Sequence, residues 1–391
     1  MRAVATAGHG AIIRAMGSAA DVSGSWSEAR PRSRPGLGTV TLVFLAVLMT
    51  VAVVGYGAAT GLLSWDVRFA YLPAAEKVLH GHSPYPALDD PILEDQKGYV
   101  YPPQLVLTML PLTALPVAVA SVLVAIGLLA LLGLTLWIVG LRDICCYAAA
   151  FLWVPSVSAV LLGNLSIPFA FALAVLWRYR ERVWPPAWAL GLAVAAKFLL
   201  WPMLVWTLVT HRVRITVWAV VIGLASTLVA WAAIGFDGLS GYPDLLRRLS
   251  DIQSDRSYSL VGMAATLGLG SAVGQALMLA GGAALLVASV LFARREDEAR
   301  SFTCAVVATL VLSPIVWLHY LVVLLVPMAI LRPRFSFLWL LPVLLWISPK
   351  PGYAEGPATF APALVATLLV WLLLRRTRDD ARSAPLAPTG A

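Results

Sequence analysis

Long apolar runs separated by short polar segments dominate the chain from residue 38 onwards. A helix needs about 20 residues to cross the hydrocarbon core of a bilayer, and most of these runs approach or exceed that length. The pattern therefore predicts an all-α, polytopic membrane protein. The runs cover residues 38–63, 115–140, 144–162, 165–177, 186–210, 213–235, 273–293, 301–331, 335–348 and 358–374.

Two of the runs carry arginine at both ends, which a single crossing would place on opposite sides of the membrane. Run 186–210 lies between Arg182 and Arg212, and run 301–331 is flanked in the same way. If each run is a hairpin or a pair of broken helices, both ends face the cytoplasm. Broken helices are tolerated in a bilayer where they line a cavity or are buried in protein. We therefore expect about twelve crossings.

The distribution of basic residues predicts that both termini are cytoplasmic, since cytoplasmic loops are rich in Lys and Arg. In that orientation, 20 of the 28 basic residues lie inside and seven lie outside, and Lys197 is left within the membrane. The outer loops then hold 11 of the 20 acidic residues. We divide the chain into a disordered cytoplasmic tail (1–36), an integral membrane domain (37–375) with a large outer loop (64–100), and a second cytoplasmic tail (376–391).

Composition agrees with this reading and excludes several classes of protein. Apolar residues make up 60% of the chain and charged residues 12%, against about 25% charge in soluble domains. The net charge of +8 comes from short clusters between apolar runs, so we predict no nucleic-acid partner. No polar stretch is long enough for a separate soluble catalytic domain. Any active site must therefore be built from helix ends and loops.

Asp66 is the first candidate for chemistry, because it follows the first apolar run directly and stands beside Trp65. A carboxylate held at the membrane surface can act as a general base toward a hydroxyl group. It can equally cap or solvate the end of a span. A short helix is predicted just beyond it, with Pro73 at its start and Gly81 at its end.

Lys197 and His319 are two polar groups inside apolar runs, at matching places in the two runs expected to break. An ionisable residue at the centre of a membrane helix costs about 3 kcal/mol on insertion scales, and so indicates a function. At the apex of a hairpin, an ammonium group would suit a phosphate. Lys197 could instead snorkel or form a structural pair, and a lone histidine on an apolar face is often a satisfied core group.

The segment Tyr99-Val-Tyr101-Pro-Pro reads as an extended lead into a short helix, since proline disfavours helix in the residue before it. Its aromatic rings could stack on a sugar or lie at the membrane interface. Metal-ligand motifs, a Walker A loop, a GxGxxG loop and a GxSxG elbow are all absent from the sequence. We therefore predict neither a bound metal nor a cofactor.

Four segments together resemble glycosyltransferase family 87. The most specific runs from Asp66 through HGHSPY to YVYPPQLVLTMLPLTALP. The others are LLGNLSIPFAFALAVLWRYR, GLAVAAKFLLWPML with Lys197, and SPIVWLHYLVVLLVP with His319. They occur in the family's order between residues 60 and 331. Where this chain has Gly163-Asn164, the family more often has Gly-Gln.

The resemblance implies the GT-C membrane fold and a lipid-linked donor such as polyprenyl-phosphate mannose, attacked with inversion by a hydroxyl of a glycolipid or glycan acceptor. Asp66 would be the catalytic base, and Lys197 with His319 would hold the donor phosphate. Substrate contacts would come from Tyr99, Tyr101 and Asn164. A monophosphate leaving group does not demand a metal. The resemblance places the enzyme in the cell membrane, in cell-envelope glycan biosynthesis, with its site on the extracytoplasmic face.

Two alternatives stay open at this stage. Within the same enzyme class, the donor could carry arabinofuranose instead of mannose. From another class, a transporter or flippase for a lipid or solute would also be polytopic. Against it, the sequence shows no internal repeat, and no Asp or Glu falls within a predicted span.

Overall fold

The computed structural model describes residues 36–347 and 360–375. The predicted cytoplasmic tails, 1–36 and 376–391, lie outside the described residues except for Gly36. The chain divides into two compact units, Met1–Val40 and Thr41–Ala391. The described part of the first unit is residues 36–40, where the first helix begins. Apart from the start of that helix, the features described below belong to the second unit.

The described residues form helices joined by short loops, with no strand among them. In chain order the α-helices are α1 (Leu37–Thr60), α2 (Leu72–Leu79), α3 (Pro103–Met109), α4 (Val117–Val139), α5 (Ile144–Leu152), α6 (Val154–Leu162), α7 (Ser166–Arg178), α8 (Trp184–Ala196), α9 (Pro202–Val209), α10 (Val213–Ala233), α11 (Tyr242–Gln253), α12 (Leu260–Thr266), α13 (Ser271–Arg294), α14 (Glu298–Val311), α15 (Leu325–Leu331) and α16 (Phe360–Leu374). A π-helical turn spans Val67–Tyr71. Segments of 3-10 helix span Pro91–Leu93, Leu110–Ala114, Phe198–Leu200, Ser254–Arg256, Leu318–Leu324 and Phe337–Ile347.

The predicted all-α membrane fold is confirmed, but fewer helices than expected are long enough to cross a bilayer on their own. Within the described ranges, α1, α4, α10 and α13 pass by length and composition, and two bent pairs raise the number to six. Five shorter apolar helical segments account for most of the remaining predicted runs. Twelve crossings would therefore need these short segments to contribute.

Breaks within the apolar runs explain why fewer helices than expected are long enough to cross a bilayer on their own. The expected break at Lys197 is present, since α8 and the segment Phe198–Val209 meet at 118°. A second expected break follows α14, which ends at Val311 before the 3-10 segment that carries His319. A third break was not predicted: α5 and α6 meet at 60°. Pro155 at the start of α6 lacks a backbone N–H and so favours this interruption.

The distribution of buried and exposed residues distinguishes a protein core from an apolar surface that suits contact with lipid. Helix α7 is central, with Phe169, Leu173 and Leu176 buried. In contrast, α10 and α13 expose many of their leucine and valine side chains, including Leu228 and Leu279. A helix that is apolar on its exposed face is expected of a membrane span. The core therefore lies among the shorter helices, with long spans around it.

Two glycines allow α8 and α10 to pack with their backbones in contact. A methyl group on Gly191 would lie 2.6 Å from the carbonyl oxygen of Ala219, and one on Gly223 would lie 3.2 Å from the carbonyl oxygen of Gly191. Small residues permit this close approach between membrane helices. The contact matters for function because α8 ends at Lys197.

We expect Gly191→Ala to lower the thermal unfolding midpoint of the detergent-purified protein, because overpacking costs about 1–3 kcal/mol. The matched control is Gly127→Ala in α4, where an added methyl would meet nothing within 4 Å. Alanine is favoured over glycine inside a helix by about 1 kcal/mol, so this control should be neutral or stabilising. Equal midpoints for the two variants would contradict the close contact.

Candidate active site

A cavity of about 1200 Å³ lies inside the second unit. Its walls come from the residues after α1, those before α3, α6, the break after α8, α10, α11 and the segment that follows α14. Most of the lining is apolar. Phe198 and Leu224 line the cavity and remain 69% and 67% exposed, so the cavity is open to the surface between the α8 break and α10.

Asp66 is brought to this cavity by a sharp turn after α1. Ser64 is fully buried with φ of 54°, a conformation that is uncommon for residues other than glycine. Its hydroxyl donates to the carbonyl oxygen of Ser121 in α4 at 2.9 Å. This hydrogen bond fixes the turn. Asp66 then begins the π-helical turn and lines the cavity, half-buried.

Gly163, between α6 and α7, provides the space for this turn. It has φ of +69°, and a methyl group on it would lie 2.9 Å from Cβ of Ser64 and from Cγ2 of Val67. These contacts are closer than real Cβ atoms show. The absence of a side chain at Gly163 therefore lets the residues on both sides of Asp66 pack against the α6–α7 turn.

The surroundings of Asp66 make it a weak acid. Burial raises the pKa of Asp66 to about 7, although a hydrogen bond from Tyr71 and the positive charge of Lys197 both lower it. The Tyr71 hydroxyl donates to Oδ2 of Asp66 at 3.3 Å. Burial also raises the pKa of Tyr71, so this hydroxyl stays protonated as a donor. A carboxyl group with a pKa near 7 can accept and release a proton at neutral pH.

Lys197 lies at the break between α8 and the following 3-10 segment, in extended backbone. Its Nζ donates to the hydroxyl of Tyr320. Nζ is also 5.3 Å from the ring centroid of Tyr101 and 4.3 Å from that of Tyr320, within the range of cation–π attraction. Among the described residues Lys197 has no carboxylate within ion-pair distance. Aromatic groups thus hold the ammonium.

His319 follows the break after α14 and is buried, with 7% of its surface exposed. Its ring packs edge-on against Tyr320, with 4.9 Å between the centroids. His319, Tyr320 and Lys197 all line the cavity. The two breaks that the sequence predicted therefore face the same space as Asp66.

The three residues predicted to contact the substrate, Tyr99, Tyr101 and Asn164, fall into two groups. Tyr101 lines the cavity, whereas Tyr99 and Asn164 do not. The hydroxyl of Tyr99 donates to the carbonyl oxygen of Pro102 at 2.6 Å and accepts from the backbone N–H of Val106 at 3.0 Å, so it organises the start of α3. As substrate contacts, Tyr99 and Asn164 stay predictions.

Asn164 is buried at the start of α7, where its Oδ1 accepts from the backbone N–H of Ser166 at 3.0 Å. Its Nδ2 has no hydrogen-bond partner among the described residues. This hydrogen bond orders the turn before α7 beside Gly163, which packs against the Asp66 turn.

The sequence did not indicate three further residues of the cavity. Tyr71 lies five positions after Asp66, a spacing that a π-helical turn, with its i→i+5 hydrogen bonds, brings together. Tyr320 stands directly after His319, and that adjacency was the available signal. Asp95 lines the cavity as a second carboxylate, although its side chain is 63% exposed and pairs with Lys97 at 3.0 Å.

The arrangement can perform acid–base chemistry beside an anion. It combines the Asp66 carboxyl, the Lys197 ammonium and the His319 imidazole in a cavity whose walls are mostly apolar. Within residues 36–347 and 360–375, no three His, Cys, Asp or Glu residues come together in a group that could hold a metal ion.

Comparison with known proteins gives one match. The family model described as glycosyltransferase family 87 matches residues 99–314, more than half of the 391-residue chain. The matched region contains Tyr101 and Lys197, whereas Asp66 precedes it and His319 follows it. A comparison with curated proteins and one with solved structures found no match. With its helical membrane fold, the chain belongs to glycosyltransferase family 87 and is a glycosyltransferase.

Proposed function

We propose that this glycosyltransferase transfers a sugar from a polyprenyl-phosphate donor to a hydroxyl of an extracytoplasmic glycolipid or glycan. The configuration at the anomeric carbon is inverted. Mannose is our first candidate for the sugar. One observation carries the proposal. Asp66 and Lys197 line the same largely apolar cavity, close enough for the lysine charge to lower the pKa of the carboxyl group. A candidate base and a candidate cation for the donor phosphate therefore share one cavity.

In the proposed reaction, the Asp66 carboxylate takes the proton from the acceptor hydroxyl. The acceptor oxygen forms a bond to the anomeric carbon as the bond from that carbon to the phosphate oxygen breaks. The electron pair leaves with the polyprenyl phosphate. One displacement at the anomeric carbon inverts its configuration. The Tyr71 hydroxyl holds the carboxyl group by its hydrogen bond to Oδ2.

The leaving phosphate gains negative charge as the bond breaks, and Lys197 with His319 would neutralise it. A preorganised cation in apolar surroundings stabilises such charge better than a solvated one, and most of the lining of this cavity is apolar. Lys197 is held by Tyr320 and Tyr101 and has no carboxylate partner within the described residues. Its charge is therefore free to interact with an anion.

The apolar wall suits the lipid part of the donor. Phe198 and Leu224 line the cavity where it opens between the α8 break and α10, so a polyprenyl chain could extend from there into the bilayer. Tyr101 lies nearer the charged groups and is our candidate for a contact with the sugar. We propose that Tyr99 and Asn164 support this region through the hydrogen bonds that order α3 and α7.

The orientation of the site follows from the charge distribution of the sequence. We propose that the loop with Asp66 faces the extracytoplasmic side of the cell membrane and that both termini are cytoplasmic, because most basic residues then lie inside. On this orientation the enzyme would work in cell-envelope glycan biosynthesis. Its acceptor would be a glycolipid or glycan outside the cytoplasm.

The decisive test of the donor uses the purified protein with polyprenyl-phosphate mannose and polyprenyl-phosphate arabinose in parallel, each with candidate glycolipid acceptors. We expect consumption of the mannose donor and release of polyprenyl phosphate. Consumption of the arabinose donor alone would make the enzyme an arabinofuranosyltransferase. Use of a nucleotide sugar without any lipid donor would overturn the proposal.

For Asp66 we expect Asp66→Asn to reduce turnover by about 10²–10⁴-fold, the usual contribution of a positioned general base. Donor binding and expression should change little, because the amide keeps the size of the side chain. Asp89→Asn is the matched control, since Asp89 is exposed and does not line the cavity. Near-full turnover of Asp66→Asn together with loss of activity in Asp95→Asn would move the base to the second carboxylate.

The dependence of turnover on pH provides a second test of Asp66 as the general base. Asp66 acts as a base only when it is deprotonated, and its pKa is about 7. Turnover by the native enzyme should therefore rise with pH, reach half its limit near pH 7 and then level off. The residual activity of Asp66→Asn should lack this rise. An unchanged profile in that variant would assign the titration to another group.

For Lys197 we expect Lys197→Met to weaken donor binding, measured with a labelled polyprenyl-phosphate sugar, while the protein stays folded. The variant removes a charge that lowers the pKa of Asp66, so the rise in turnover should also move to higher pH. Lys77→Met, at an exposed position away from the cavity, serves as the control. Unchanged affinity and an unchanged pH profile in Lys197→Met would leave the lysine with a purely structural role.

A further inference from the structure

A second, smaller cavity of about 360 Å³ lies between the C-terminal ends of α4 and α7. Three arginines, Arg142, Arg178 and Arg180, line it together with aromatic residues such as Trp137 and Trp177. None of these residues lines the large cavity. The proposed reaction therefore does not account for them.

This cavity and the turn that carries Asp66 lie near opposite ends of α4. The turn that carries Asp66 is bonded to Ser121 near the start of α4, and α4 ends at Val139, beside the second cavity. At about 1.5 Å per residue, this stretch of helix is about 27 Å long. That distance approaches the hydrocarbon thickness of a bilayer, about 30 Å. Because α4 is long and apolar enough to cross a membrane, we infer that the two cavities lie toward opposite faces of the bilayer.

Charge in the second cavity is only partly compensated. Arg180 pairs with Glu298 at 2.8 Å and donates to the carbonyl oxygen of Trp177. Arg142 donates to the carbonyl oxygens of Trp137 and Leu141 through Nη1, which offsets the negative end of α4. Arg142 also forms a side-chain hydrogen bond with Tyr147, and none of these partners carries a negative charge that would neutralise the guanidinium.

Neither Arg142 nor Arg178 has a carboxylate partner among the residues that the structure describes. Both are exposed. An excess of two guanidinium groups thus faces the cavity, and a guanidinium presents the paired donors that recognise phosphate oxygens.

The surroundings of these arginines fit the membrane interface. Trp137 is 57% exposed on the last turn of α4, and tryptophan is enriched at the headgroup level of bilayers. The guanidinium carbon of Arg142 lies 5.7 Å from the Trp137 ring centroid, and that of Arg180 lies 4.2 Å from the Trp177 centroid. The rings therefore hold two guanidinium groups at an end of α4 whose residues are typical of the headgroup level.

We propose that this cavity binds the phosphate of an anionic membrane lipid, with Arg142 and Arg178 as the principal contacts. Basic pockets between membrane helices are suited to such headgroups. The lipid would bind on the membrane side opposite to Asp66. This site is independent of the proposed sugar transfer, and it holds if that proposal fails.

The test measures lipid retained by the intact protein in nanodiscs that contain phosphatidylglycerol and phosphatidylcholine. We expect the native protein to enrich phosphatidylglycerol about tenfold over phosphatidylcholine, which corresponds to the contribution of one charge-assisted contact. In Arg142→Gln/Arg178→Gln the enrichment should fall to about twofold. Both side chains are exposed, so the variant should keep its unfolding midpoint.

The matched control is Arg182→Gln/Arg214→Gln, which removes two exposed arginines that do not line the cavity. We expect it to retain native enrichment. An equal loss in both double variants would indicate general attraction between charges and would overturn the proposal, as would native enrichment in the first variant. A third arm adds millimolar inorganic phosphate. Complete displacement of the lipid by phosphate would reassign the cavity to a soluble anion, whereas persistence of the lipid supports the proposal.

Discussion

A helix that ends inside a bilayer leaves backbone N–H and C=O groups that lipid cannot satisfy, each at a cost of several kcal/mol. The architecture of this protein follows from that constraint. Helix α8 stops at Ala196, and α14 stops at Val311, both within apolar sequence. Their ends face protein and the large cavity instead of lipid. The broken helix ends therefore depend on the protein and the cavity around them. The polar side chains at the two breaks line the same cavity.

The electrostatics of Asp66 follow from its burial in the protein. Burial raises the pKa of Asp66 more than Tyr71 and Lys197 lower it, so its acidity is set by its environment and not by its charged neighbour. Lys197 is stabilised by the hydroxyl of Tyr320 and by two aromatic rings. Rings attract a cation without neutralising it. A carboxylate partner would have cancelled the charge that an anionic ligand needs.

The sequence predicted the features that local signals encode. Arginines at both ends of an apolar run indicated the breaks in α8 and after α14, and Lys197 and His319 stood out because polar residues are costly in such runs. Three features depend on contacts between distant or unusual elements, which local signals in the sequence do not encode. The π-helical turn brings Tyr71 to Asp66, the hydroxyl of Tyr99 is used by the backbone of α3, and Tyr320 meets Lys197 across 123 residues of sequence.

Because one side of the large cavity is exposed and apolar, lipids of the surrounding membrane can compete with a ligand for binding there. Phe198 and Leu224 line the cavity where it is open, so acyl chains of bilayer lipids or detergent have the same access as a lipid-borne ligand. For the lipid-linked donor that we propose, occupancy would depend on its mole fraction in the membrane and not on a concentration in water. Measured affinities will change with the detergent or lipid used, even when every contact to the head of the ligand is unchanged.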